Sequence, residues 1–274
     1  MTRDERVASV RPRELPNVAD GVSLWWCDLE LPAEALPRLA ATLSPGEHAR
    51  AARFGRDSLR ARWIAGRASL RVVLGGTLDA APHAVAIARG ARGRPQLAGG
   101  DADIDFNVSH TAGVALIGVL RRRGRAVRIG VDVERADRDV AAERLARRVL
   151  TVDERADLEA HAPADRSRRF LRYWTCKEAM SKATGDGLSA PFRRIDVGLS
   201  PGLALREGPE PYRPGGWTLL AVSVPDGFIA TVALWDRDGF THRPVSDTSS
   251  ASAATGNPPG ARGSPAPRAA RTSP

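Results

Sequence analysis

Between Asp103 and Glu134 the chain reads Asp-Ile-Asp-Phe-Asn-Val-Ser-His, Gly-Val-Ala-Leu-Ile-Gly-Val-Leu and, after an arginine-rich break, Val-Arg-Ile-Gly-Val-Asp-Val-Glu. Three strand-like runs separated by two short turn signals predict an antiparallel meander. If the first strand ends at Ser109–His110, the second (Val114 to Leu120) runs back and the third (Val127 to Val133) returns. His110 and the pair Asp132/Glu134 then finish at the same end of the sheet. Side chains alternate along a strand, so Asp132 and Glu134 share one face while Ile129, Val131 and Val133 share the other, core-facing one. Two carboxylates on such a strand are costly unless a cation meets them, and magnesium is the simplest hard cation for the purpose. The alternative is a strand end at which both acids face water.

The rest of the composition narrows the setting. At 42% hydrophobic and 27% charged over 274 residues, the chain holds enough apolar material for a sizeable core and is not disordered throughout. No apolar run is long enough to span a bilayer, and Met1 to Arg13 is charged with no apolar stretch behind it, so a cytoplasmic protein is expected. Cys27 and Cys176 alone make neither a disulfide framework nor a zinc site. The net charge is +9. Setting aside Thr241 to Pro274 leaves 37 basic against 31 acidic residues, or +6, so the body itself is basic and suits a polyanionic or acidic partner.

Along the chain, a leader over residues 1–14 precedes a strand at Val22 to Leu31. Ser44-Pro45-Gly46-Glu47 is a capping box that starts a helix running to Phe54. Asp57/Ser58 caps a second helix, over Leu59 to Leu74, which Gly75–Gly76 stops; its arginines, Arg60, Arg62, Arg67 and Arg71, fit either a solvated face or phosphate contacts. A short strand at Val85 to Ala88 leads to a basic loop, Arg89 to Pro95, without the spacing of a Walker loop or a dinucleotide fingerprint. After the meander, Val140 to Leu150 reads as an amphipathic helix and Thr151-Val152-Asp153-Glu154 as a second capping box. A helix from Asp165 to Ala183 follows, stopped by Gly185. It carries Thr175, Glu178 and Lys182 on one face, with the last two spaced as an ordinary i,i+4 ion pair. Strands at Ile195 to Leu199, Trp217 to Val224 and Phe228 to Trp235 close the fold, the last two joined at Pro225-Asp226-Gly227. Residues 241–274, rich in Ser, Pro, Ala and Gly, are expected to be a disordered tail.

Taken together, Phe106 to His110, Ile129 to Glu134 and Trp174 to Lys182 resemble, in order and separation, the signature blocks of the Sfp-like 4′-phosphopantetheinyl transferases. Arg62 and Gly93-Arg94-Pro95 also match family elements, so the resemblance covers Ser44 to Leu188. It implies an α+β fold of two pseudo-twofold-related halves, each an antiparallel sheet packed with helices, here about residues 15–125 and 126–240. Coenzyme A and magnesium would lie in the cleft between them. On the same resemblance Asp132, Glu134 and Glu178 are the metal ligands. Arg62 and His110, with Ser109 beside it, hold the phosphate on the ribose. Arg94 stands where the family usually carries Lys, and Lys177 and Lys182 lie beside the pyrophosphate. Glu178 and Lys182 are the catalytic candidates, with Glu178 as base, metal ligand or both. The implied partner is an acidic apo acyl or peptidyl carrier protein, met by a monomer, with no role for nucleic acid or membrane. The competing reading, a basic nucleic-acid-binding protein, accounts for the charge but not for the three acids, and no RNP-like block, zinc spacing or helix-turn-helix accompanies it.

Overall fold

A computed structural model describes residues 11–90, 92–99, 103–138 and 142–239. The expected leader lies outside the described residues as far as residue 10, and the expected tail over 241–274 lies outside them entirely. The first part of the chain forms β1 (Arg13–Leu15), β2 (Val22–Asp28), α1 (Leu36–Ala40), α2 (Pro45–Ala52), α3 (Asp57–Leu78), β3 (Ile87–Arg89), β4 (Pro95–Leu97), β5 (Ile104–Thr111) and β6 (Val114–Arg121). The second forms β7 (Val127–Arg135), α4 (Ala142–Val149), α5 (Val152–Glu159), α6 (Pro163–Thr184), β8 (Asp196–Gly198), β9 (Ala204–Glu207), β10 (Trp217–Val222) and β11 (Phe228–Asp236).

Both capping boxes are present. Ser44 and Glu47 close the start of α2, Thr151 and Glu154 that of α5, each pair satisfying N–H groups that a helix end leaves free. Gly185 ends α6 in the left-handed region at φ 87°, as its position predicts. The other helix differs from expectation: α3 has no side-chain cap and runs through Gly75–Gly76 to Leu78. Gly75 serves packing, because a Cβ there would stand 2.7 Å from the carbonyl oxygen of Ala80, where the chain turns back over the helix.

The two parts follow one path. In the first, β2, α3, β5 and β6 give the strand order β1-β2-β6-β5; in the second, β7, α6, β10 and β11 give β10-β11-β7, and all paired strands are antiparallel. A two-stranded ribbon, β3-β4 or β8-β9, sits after the long helix in each. This is the α+β architecture of two like halves that the family resemblance implies. Four layers result. Helix α3 packs Leu70 and Leu74 against Phe106 and Ile117 of the first sheet. The other face of that sheet meets the second through Leu24, Trp26 and Leu116 against Ile129, Val131 and Val232. Helix α6 then covers the second sheet with Phe170, Tyr173 and Met180.

The expected three-strand meander does not form. β5 and β6 make a hairpin, but the free edge of β6 is taken by β2, from Val22↔Leu120 to Asp28↔Val114, so β7 has no edge to join there. The chain crosses at Arg123 and Gly124, both at positive φ, and β7 pairs with β11 instead. Two glycines permit the close packing that follows. Gly118 on β6 leaves room for Val131 and Ile129, whose atoms would lie 2.6 and 2.9 Å from a Cβ. Gly130 on β7 lets α6 lie directly on the strand, with the Ala179 carbonyl oxygen only 1.9 Å from where a Cβ would be.

Gly130→Ala therefore meets backbone, which cannot swing aside, and is expected to destabilise by the upper end of ~1–3 kcal/mol. Gly76→Ala, inside α3 with open space at its Cβ, should stabilise by ~0.5–1 kcal/mol. Urea unfolding of both variants checks this; equal effects would contradict the packing described.

Candidate functional site

The site begins with how β5 meets β7. The backbone N–H groups of Ile129, Val131 and Val133 point away from β11, and three alternate side chains of β5 accept them: Asp105 Oδ2 at 2.8 Å, Asn107 Oδ1 at 3.1 Å and Ser109 Oγ at 3.3 Å. The strands thus run parallel, bridged by side chains instead of a backbone ladder, and the end of β5 lies beside Asp132 and Glu134 as the sequence predicts.

At that end Lys182 Nζ donates to Asp132 Oδ1 at 2.6 Å and to Ser109 Oγ at 2.8 Å, and Ser109 Oγ donates to Asp132 Oδ1 at 2.8 Å. Lys182 pairs with Asp132 across the cleft, so the i,i+4 pairing with Glu178 is not made. Glu134 is held by Arg138 at 2.6 Å, the Trp174 indole N–H at 3.1 Å and the Thr111 hydroxyl at 3.3 Å. Asp132 is 4% exposed and Glu134 9%, so neither is a solvated strand end. Asp132 Oδ2 and Glu178 Oε1 are buried with no hydrogen-bond partner. The crowding shows in the acidities. Burial pushes the Asp132 carboxyl up, against Lys182 and Ser109, which pull it down. Glu178 is pushed up to about 7, by burial first and then by Asp132, with Glu134 adding to the effect and Lys182 opposing it. As the side chains lie, no three His, Cys, Asp or Glu among the described residues are gathered to hold a metal ion. Glu134 is occupied by Arg138 and Trp174; Asp132 and Glu178 offer the free oxygens.

Beyond His110 a cavity of about 630 Å³ opens, lined by Arg50, Arg62, Arg67 and Arg89 together with Trp63 and Gly113. His110 and Arg62 both line it. Arg62 is held at 2.5 Å by Glu30, and Arg67 by Glu47, which also takes Arg71 at 2.5 Å. His110 is exposed on the cavity wall, yet the desolvation its surroundings impose, and then the charge of Lys182, lower its pKa below the usual imidazole value. Arg50, Arg67, Arg89 and Trp63 were not among the predicted contacts. The signal available for two of them was that Arg62, Trp63, Gly66, Arg67 and Leu70 line one side of α3. Hollows of about 590 and 710 Å³ elsewhere hold none of the three acids.

Three predicted coenzyme contacts are otherwise engaged. Arg94, 8% exposed, spends its fork on Asp105 at 2.9 and 2.8 Å and on the carbonyl oxygens of Ile129 and Lys182, joining the halves instead of facing a phosphate. Lys177, 0% exposed, turns away from the cleft to Glu154 at 2.6 Å; burial pulls its ammonium down and pushes the Glu154 carboxyl up, each held against that tendency by the other. The Ser109 hydroxyl is saturated by Asp132, Lys182 and Val133.

Comparison with known proteins bears on the family resemblance. Residues 32–119 match the model described as "4'-phosphopantetheinyl transferase, N-terminal", and residues 128–232 that of the "4'-phosphopantetheinyl transferase superfamily". The chain is 37% identical over 226 residues to the 4'-phosphopantetheinyl transferase HetI of a Nostoc species, which spans 82% of this chain and 92% of that relative. It is 32% identical to a putative 4'-phosphopantetheinyl transferase of a Synechocystis species, over 63% of this chain and 68% of the relative. Among solved structures, the holo-[acyl-carrier-protein] synthase of Thermotoga maritima overlaps 40% of this chain and 62% of its own at 22% identity and a TM-score of 0.33, too slight to add to the case. Family models on both halves and a relative matched along nearly its whole length lead to one conclusion: the chain belongs to the 4'-phosphopantetheinyl transferase family.

Proposed function

We propose that this enzyme transfers the 4′-phosphopantetheine arm of coenzyme A to a serine of an acidic apo acyl or peptidyl carrier protein. The reaction is magnesium-dependent and releases adenosine 3′,5′-bisphosphate. The observation that carries the reading is the pair of buried, unpartnered carboxylate oxygens on Asp132 and Glu178, beside Lys182 and next to the arginine-lined cavity of His110. Such oxygens suit a cation, and magnesium commonly takes one or two carboxylates together with substrate phosphates, so Asp132 and Glu178 would hold it with Glu134 as the third acid. When bound, the ion neutralises charge growing on the pyrophosphate.

The protein's own groups account for the remainder. The serine oxygen bonds to the pantetheine-side phosphorus as the bond from that phosphorus to the bridging oxygen breaks, and the bridging oxygen leaves with the adenosine bisphosphate. Glu178, with a buried carboxylate oxygen left without a partner beside Asp132, is the group placed to take the serine proton. The Lys182 ammonium answers the charge on the departing oxygen. His110 and Arg62 take the ribose phosphate, Arg62 exchanging Glu30 for it. Residues 15–125 and 126–240 are read as the two halves that supply the walls of the cleft. One chain supplies both walls, which supports a monomer. The two buried free cysteines and the absence, among the described residues, of a helix able to cross a membrane are compatible with a cytoplasmic setting. A nucleic-acid role leaves the acids without use.

Mass spectrometry of an apo carrier protein incubated with coenzyme A and magnesium tests the reading; a carrier left unmodified would overturn it. Asp132→Asn, which keeps an acceptor for Ser109, should lower transfer at least ~100-fold. It should also match or exceed the parent's melting temperature in chelator and lose the stabilisation that magnesium plus coenzyme A gives the parent. Transfer at the parent rate would remove Asp132 from the metal. His110→Ala should weaken coenzyme A binding about tenfold while leaving dephospho-coenzyme A nearly unchanged, as the loss of one charge-assisted hydrogen bond predicts. Calorimetric titration distinguishes this from an equal loss for both ligands, which would make His110 a structural residue.

A further inference from the structure

Lys177 precedes Glu178, and on a helix consecutive side chains point about 100° apart. While Glu178 faces Asp132, the Lys177 ammonium lies inside the second half. It donates to the carbonyl oxygen of Val149 at the end of α4 (2.9 Å), to that of Phe192 in the turn Phe192–Arg194 (2.7 Å) and to Glu154 Oε2 (2.6 Å). An ammonium has three protons, and all three are used, leaving none for a phosphate. Glu154 is filled as well: Oε2 also accepts the Thr151 N–H at 2.9 Å, and Oε1 accepts the Val197 N–H of β8 at 2.8 Å. Five elements therefore meet on one buried ion pair, and α6 carries one end of it.

The opposite side of α6 is fixed by backbone contact at Gly130, and one turn earlier Trp174 reaches Glu134 while its ring packs on Phe192 at 6.0 Å. Rotation of α6 about its axis would carry Glu178 away from Asp132, and the bond from Lys177 to Glu154 opposes it. We infer that Lys177 and Glu154 form a positioning pair, which aims Glu178 by fixing the rotation of α6, and that Lys177 makes no contact with coenzyme A. The inference rests on the proposed role of Glu178.

The test uses the full chain with Lys177→Met. Should that variant fail to melt cooperatively because Glu154 is left buried and unpaired, Lys177→Met/Glu154→Gln replaces it, the glutamine still accepting from Val197. Coenzyme A affinity is measured by calorimetry without magnesium, and kcat and KM with an apo carrier. The pair predicts an affinity and a KM for coenzyme A within about twofold of the parent and a kcat lowered about tenfold or more, the pattern of misaligned reacting groups. Weaker coenzyme A binding with kcat intact would make Lys177 a coenzyme contact; parent values throughout would make the pair merely structural, and either overturns the inference. Glu178→Gln is assayed alongside. If it transfers at the parent rate, the reading of Glu178 fails, whatever Lys177 does.

Discussion

Three backbone N–H groups of β7, at Ile129, Val131 and Val133, would be buried without acceptors were it not for Asp105, Asn107 and Ser109 of β5. A buried donor left unpaired costs roughly 1–3 kcal/mol, so this set of bonds holds the halves in one register. Arg94 fastens the same seam by binding Asp105, the Ile129 carbonyl oxygen and the Lys182 carbonyl oxygen at the end of α6. Everything in the cleft depends on that register. A slip of one residue would turn Ser109 away from Asp132 and carry His110 to the other face.

Charge within the cleft is arranged in two unequal parts. On one side three acids share Lys182 and Arg138 and still leave two carboxylate oxygens bare. On the other, arginines around His110 face a cavity with Glu30 and Glu47 as their acids. The proposed ligand, with a pyrophosphate at one end and a further phosphate at the other and accompanied by a cation, would complete both parts at once. Local conflict of this kind is what a functional site retains when the surrounding fold is otherwise consistent.

Features written in adjacent residues were legible. Ser44 with Glu47 and Thr151 with Glu154 cap helices as their spacing predicts, Gly185 stops α6, and the alternation along β7 gives the acidic face correctly. What the sequence could not disclose were contacts made across it. Arg94 meets Lys182 over a separation of 88 residues, and Lys177 meets Phe192 and Glu154 on elements that only the folded chain brings together. A basic residue near a motif reads alike whether it faces ligand or core. The path of β7 was hidden for the same reason, since β2 had already taken the edge of β6.

The central claim, that folding crowds acids around a site meant for a cation, is tested most directly by the pH dependence of stability without metal. Glu178 is held at about 7, above its ordinary 4.5, so the folded protein binds its proton more tightly than the unfolded chain does. That favourable contribution is complete below about pH 4.5 and lost as pH rises through about 7, a swing on the order of 3 kcal/mol. Asp132 shifts in the same direction, so the parent must be compared with Glu178→Gln, which lacks only the one titration. In chelator, the melting temperature of the variant should gain steadily on that of the parent between pH 4.5 and 8. A difference that stays constant across that range would contradict the account.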